Sequence, residues 1–178
     1  MKKFFRTTVF IISIVFLASC SSDDNGGGGD DNGGGGGASF TLDGEVYQVN
    51  QAALQIFNNM SEGTSDASIS LTGSKGAKTG NVSFSVMYNN AEGIGGTYVS
   101  DEDSWEEIEG TYSSWLSSYT VVSGGQDMVS SNQPIGPVKI VSHGNNQYTL
   151  EFDVTYNDDV TASGNVKTTF TVQTMNID

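Results

Sequence analysis

The sequence predicts an all-β domain, an antiparallel sandwich or barrel, from three observations. Apolar and polar residues alternate over several short stretches, glycine- and asparagine-rich turns separate them at short intervals, and no strand–helix–strand unit recurs. Glycine is abundant and proline scarce, which suits tight turns between uninterrupted strands.

The elements follow in chain order. Phe40-Thr41-Leu42, then Asp43-Gly44, then Glu45-Val46-Tyr47 read as a two-residue hairpin, because Asp-Gly tolerates the positive φ angles of a type I′ turn. Phe40 should then face Tyr47 across the ladder. Gln51 to Met60 fits either a strand or a short amphipathic helix capped by Asn50. Ala67, Ile69 and Leu71 alternate with Ser68, Ser70 and Thr72, and Val82, Phe84, Val86 and Tyr88 with Ser83, Ser85 and Met87. These are two strands with one apolar face each, joined by a loop over Gly73 to Gly80. Ser100 to Glu109 could open a helical turn, with Asp103 completing a capping box. Val138 to Val141 turns at His143-Gly144-Asn145-Asn146 into the clearest strand, Tyr148, Leu150, Phe152, Val154 and Tyr156. A turn near Asn157-Asp158-Asp159 leads on to Val166 to Val172, completing a meander. The expected fold is an antiparallel β-sandwich or lipocalin-like β-barrel, with at most one or two short helices.

The chain start reads differently. Lys2, Lys3 and Arg6 precede an apolar run from Val9 to Leu17 and then Leu17-Ala18-Ser19-Cys20. A basic start, a short apolar segment and small residues are the parts of a secretory signal peptide, here residues 1–19. The run is too short to span a bilayer permanently. Leu-Ala-Ser-Cys resembles the bacterial lipobox, which implies diacylglycerol on the Cys20 sulfur, cleavage just before it and acylation of the new amino group. Two or more chains give stable membrane attachment, so the expected address is a membrane, through a lipid anchor at Cys20. Cys20 is the only cysteine, so its acylation leaves no thiol for disulfides, nucleophilic catalysis or metal ligation.

Residues 20–37 form the lipidated cysteine and a tether rich in glycine and aspartate, with no apolar side chain after Cys20. Such a segment cannot build a core, and a flexible chain of this length spans about 20 to 25 Å. Its glycines lack the preceding strand, following helix and Gly-Lys-Ser/Thr of a phosphate-binding loop. Ser21-Ser22-Asp23-Asp24 resembles the export signal of surface-exposed lipoproteins of the Bacteroidota, which implies the outer face of the outer membrane. The remaining residues, 38–178, suit one domain. The order Phe40, Asp43-Gly44, Tyr47, then Gly96-Thr97-Tyr98, then Gly136 to Val141 leading into Tyr148 to Tyr156 resembles small uncharacterised β-rich lipoproteins of that group. The resemblance implies fold and location, and no activity.

The chain carries 7 basic and 21 acidic residues, net −14. Loss of residues 1–19 leaves Lys75, Lys78, Lys139 and Lys167 against all 21 acids, near −17. A chain this acidic repels polyanions, so no nucleic-acid partner is expected. Solubility at a crowded surface is the simplest role of the charge.

Candidate chemistry is sparse. His143 is the sole histidine, so any triad or histidine-ligated metal must use it, yet it sits in a turn composition. No Gly-x-Ser-x-Gly elbow occurs. Asp101, Asp103 and Glu106 lead an acidic run that could offer oxygen ligands to Ca²⁺. The run does not follow an EF-hand: the sixth position from Asp101 is Glu106 instead of glycine, and the twelfth is Tyr112. A solvated acidic loop with no cofactor is the expectation. Trp105, Tyr112, Trp115 and Tyr119 lie in a polar, serine-rich stretch without a clean strand period. As loop aromatics they would stack on a glycan or anchor a protein partner; as core residues Trp115 and Tyr119 would cap the open end of the fold. The functional expectation is a lipid-anchored, surface-exposed, non-enzymatic binding or envelope-associated module. Its rivals are an extracellular glycan- or peptide-acting hydrolase, which would need two carboxylates about 5 to 10 Å apart, and a purely structural surface protein.

Overall fold

The computed structural model describes residues 37–61, 63–101, 109–124 and 127–176. All regular structure among them is β: β1 (Ser39–Leu42), β2 (Glu45–Ser61), β3 (Thr64–Lys75), β4 (Lys78–Asn89), β5 (Gly96–Asp101), β6 (Thr111–Ser123), β7 (Asp127–Asn132), β8 (Val138–Ser142), β9 (Gln147–Thr155), β10 (Thr161–Thr169) and β11 (Thr171–Asn176). The all-β class is as the periodicity predicted. The stretch from Gln51 to Met60, open between strand and helix, belongs to the long strand β2.

Ladder pairing runs β1-β10-β9-β8-β5-β6-β4-β3-β2, and β1 also pairs with β2, so nine strands close on themselves. Closure removes most free edges, the main liability of an all-β domain. The two remaining strands attach to this ring. β7 lies along the second half of β6. β11 continues from β10 after Phe170 and pairs with Ala53 to Asn58 of β2. Two pairings, β2 with β11 and β5 with β6, are parallel. The antiparallel expectation holds for the other ladders. Parallel pairing cannot be made by a tight hairpin, so hairpin turn chemistry does not reveal these two ladders.

The first hairpin forms as its sequence dictates. Asp43 and Gly44 adopt φ of 52° and 71°, and Phe40 opposes Tyr47 with ring centroids 5.6 Å apart in a stacked arrangement. The segment read as a loop, Gly73 to Gly80, is largely strand, with its turn at Gly76 and Ala77. Gly73 and Gly80 face inward for a steric reason. A Cβ on Gly80 would come within 2.9 Å of the Tyr47 ring, and one on Gly73 within 2.9 Å of both the Phe40 ring and the Gln48 carbonyl. Gly164 makes the same room for Phe152. Aromatic rings thus lie on glycines that hydrophobic periodicity cannot register.

The interior is filled. Phe84 of β4 and Phe152 of β9, on strands that are not ladder neighbours, have centroids 5.3 Å apart, and Phe84 meets Tyr112 edge-on at 5.9 Å. Leu42, Leu54, Ile69, Leu71, Val82 and Leu150 are wholly buried around them. Packing across the barrel makes it a core with no lumen.

Candidate functional site

The alternation that buries one side of β2, β3, β4 and β6 determines what the other side presents. Reading across the ladders, the outward rows are Gln48-Ser74-Thr79-Val122, Gln51-Thr72-Asn81-Thr120, Ala53-Ser70-Ser83-Ser118 and Gln55-Ser68-Ser85-Ser113. None of these sixteen residues is charged. With strands about 4.8 Å apart and two-residue steps of about 7 Å, they form a platform on the order of 15 by 20 Å. β7 extends three rows with Met128, Ser130 and Asn132, and β11 two with Thr171 and Gln173, still without charge. The last row ends at Asp101 of β5.

The lysines lie off this platform. Lys75 and Lys78, at the β3–β4 turn, hold the Glu45 carboxylate at 3.0 and 2.8 Å. Those two bonds depress the Glu45 carboxyl to about 2 from its ordinary 4.5. Lys139 reaches Glu151 at 3.3 Å on the β8–β9 wall, and Lys167 is exposed on β10. The described lysines therefore lie off the platform, while acids bound it: the next row on the same face holds the buried Asp66, and the last row ends at Asp101.

Two residues leave the strand alternation beside the platform, Trp115 and Leu116. Between Ser83 and Ser85 the β4–β6 register slips from Ser118 to Ser113, so Ser114 to Ser117 face a single residue, Phe84. This wide bulge is held by hydroxyls. Ser85 N–H donates to Ser117 Oγ at 3.0 Å, Ser117 Oγ–H donates to the Ser113 carbonyl at 2.6 Å, and Leu116 N–H donates to Ser113 Oγ at 3.3 Å. Ser114 and Ser117 are buried, whereas Trp115 and Leu116 are 39% and 48% exposed. A bulge re-aims side chains out of the strand's alternation, and here it sets an indole at the platform's β6 edge.

The sequence-predicted residues separate accordingly. Trp115 stands exposed on the bulge. Tyr112 and Tyr119 are interior: Tyr112 Oη–H donates to the Pro134 and Gly136 carbonyls at 3.0 and 2.9 Å, and Tyr119 Oη–H to Asp158 Oδ2 at 2.5 Å. Burial, then the Asp158 hydrogen bond, pushes the Tyr119 phenol up, so it stays protonated. Asp101 ends β5, where its carbonyl accepts from Ser114 Oγ at 3.1 Å. Trp105, Asp103 and Glu106, like Cys20 and the tether up to residue 36, lie outside the described residues. Among the described residues no three His, Cys, Asp or Glu side chains gather as a metal would require. His143 is exposed at the β8–β9 turn, its Nε2 2.9 Å from Thr149 Oγ1.

Sequence reasoning missed a second feature, a recess of about 880 Å³ at the barrel end beside the β4–β5 and β8–β9 turns. Ile56, Asn58, Tyr88, Glu92, Ile94, Ile140 and Tyr148 contribute to its lining. Its residues come from four separate segments, so only the closed ring brings them together. A smaller recess of about 470 Å³ lies on the charged wall, around Lys139 and Glu151.

Fold and platform define a filled, closed β-barrel with one uncharged polar face. No protein-family model, curated protein or solved structure matches the chain.

Proposed function

We propose that this protein is a lipid-anchored, surface-exposed, non-enzymatic binding module that meets an uncharged glycan on the outer face of β2, β3, β4 and β6. The carrying observation is the absence of charge from these rows. In a chain with 21 acidic residues, sixteen contiguous outward positions carry none. At the chain's overall acid frequency about two acids would fall on sixteen positions, and their absence suits a partner with no charge of its own.

The chemistry of the face agrees with that reading. Serine and threonine hydroxyls donate and accept, glutamine and asparagine amides do both, and short side chains keep the platform flat. Such groups match sugar hydroxyls, while the Trp115 indole offers the apolar surface on which a sugar ring stacks. A protein partner would instead be expected to use the exposed apolar side chains of β6 and β7, Trp115, Leu116, Met128 and Val129. The anchor reading rests on Leu17-Ala18-Ser19-Cys20, and the surface reading on the acidic residues that follow. The non-enzymatic reading is supported by the filled interior and by the placement of His143 on an exposed turn.

The test is an array of neutral, uronate-containing and sulfated glycans together with surface proteins, probed with the unaltered chain and Trp115→Ala. Retention restricted to neutral glycans and lost in the variant is the expected result. Glycan hydrolysis that disappears on replacing an acid would make the protein a hydrolase, and retention of proteins alone would overturn the glycan reading. Labelled palmitate incorporated by the native chain and lost in Cys20→Ser, with removal by protease from intact cells, tests the address.

A further inference from the structure

The recess at the barrel end has an electrostatic character of its own. Tyr88 and Tyr148 come from β4 and β9, Ile56 and Asn58 from β2, Ile140 from β8, and Glu92 from the β4–β5 loop. The loop is held in place. Glu92 N–H and Gly93 N–H donate to the Asn89 carbonyl at 3.1 and 2.9 Å, Asn90 N–H donates to the Gly63 carbonyl at 3.0 Å, and Tyr98 Oη–H donates to the Ile94 carbonyl at 2.7 Å. On the facing wall, Asn58 Nδ2 donates to Asn176 Oδ1 at 3.0 Å and its Oδ1 accepts from Ser65 Oγ at 3.4 Å. The Tyr148 ring is oriented by an edge-on contact with Phe170 at 5.6 Å. The backbone around the recess is thus fixed by hydrogen bonds, while its mouth is open and the Glu92 side chain is exposed to solvent.

The sign of its charge restricts the ligand. Among the described residues Glu92 is the one charged side chain in the lining. Among the described residues no lysine lines it: Lys75 and Lys78 pair with Glu45, Lys139 with Glu151, and Lys167 is exposed on β10. Anions have no partner here and would be repelled by a chain near −17. Two phenol rings and a carboxylate, inside a strongly negative field, are the groups that attract an organic cation by cation–π and ionic contact.

We infer that this recess binds a small organic cation, an amine or quaternary ammonium, with Glu92 as counter-charge and Tyr88 and Tyr148 as ring contacts. The site is independent of the glycan platform, which shares none of these residues.

Calorimetric titration of the full chain, in a polyoxyethylene detergent, with choline and with its neutral isostere 3,3-dimethylbutanol provides the test. Choline should bind, the isostere at least about tenfold more weakly, and added salt should weaken choline binding. Glu92→Lys on the loop should abolish choline binding. Asp159→Asn, which removes a negative charge at the opposite end at a positive-φ position that asparagine tolerates, should leave it within about twofold. Tyr148→Leu should weaken it at least about tenfold, with thermal unfolding checking that the variant folds. Equal binding of choline and the isostere, no binding of choline, or equal loss in Glu92→Lys and Asp159→Asn would overturn the assignment. Trp115→Ala should leave choline binding unchanged, so failure here and failure of the glycan reading are told apart.

Discussion

Two buried tyrosines show how much a single hydroxyl decides. Tyr112 Oη–H serves two carbonyls in the Pro134 to Gly136 segment, whereas Tyr156 Oη is buried with no hydrogen-bond partner among the described residues. Burial pushes the Tyr156 phenol far above its ordinary range, so it remains neutral. Removing a satisfied buried donor orphans its acceptors, while removing an unsatisfied one relieves a desolvation cost. Tyr112→Phe should therefore destabilise by about 1 to 2 kcal/mol and Tyr156→Phe should be neutral or stabilising by up to about 1 kcal/mol, measured by urea unfolding. Glu45 gives a pH signature at the same scale. Its folded carboxyl lies at about 2 against 4.5 unfolded, a depressed value. The contribution is therefore present in full above the unfolded value and lost as pH falls through the folded one. Unfolding midpoints between pH 5 and 2 should fall less steeply in Glu45→Gln than in the unaltered chain, and parallel curves would show that the Lys75 and Lys78 bonds do not act.

At the scale of elements, the bulge of β6 is the feature whose loss is most informative. Ser117 is wholly buried, and its hydroxyl replaces the ladder partner that Ser85 N–H would otherwise lack. Ser117→Ala should cost about 1 to 3 kcal/mol by leaving that N–H unmet, with hydrogen exchange at Ser85 rising more than at Ile69 in neighbouring β3. Uniform exchange would show that the hydroxyl does not hold the bulge. This bulge also explains what the sequence concealed. Where periodicity is unbroken, as over Ala67 to Leu71, Val82 to Tyr88 and Tyr148 to Tyr156, strands were legible. The same holds for turns that rest on local chemistry: Asp43-Gly44 and Gly144-Asn145-Asn146 adopt the positive φ their residue types tolerate. Four residues set against one destroy a period of two, so the stretch holding Trp115 read as irregular. Gly73 and Gly80 hid strand for the opposite reason, since inward positions filled by a neighbour's ring carry no apolar signal.

At the scale of the molecule, ring closure decides which surfaces exist. Strand membership follows from local pattern, but the pairing of β1 with both β10 and β2, and the parallel ladders of β5 with β6 and β2 with β11, depend on contacts remote in sequence. The uncharged platform inherits that limit. Its serines were visible as the polar half of each alternation, yet their union into four charge-free rows needs the order β2-β3-β4-β6. Of the aromatic residues singled out by composition, Trp115 reaches solvent while Tyr112 and Tyr119 complete the core, because loop-like composition does not reveal which way a bulged strand turns. The most direct test of the platform is depletion of the protein from solution by insoluble neutral glucan and xylan. It compares the unaltered chain with a Ser70→Asp, Thr120→Asp double variant, whose two new charges sit at half-buried positions of the outward rows and leave the core side chains unchanged. Retention of the unaltered chain, with at least about tenfold weaker retention of the double variant at an unchanged unfolding midpoint, is the predicted result. Equal retention of both proteins, or retention of neither, would contradict it.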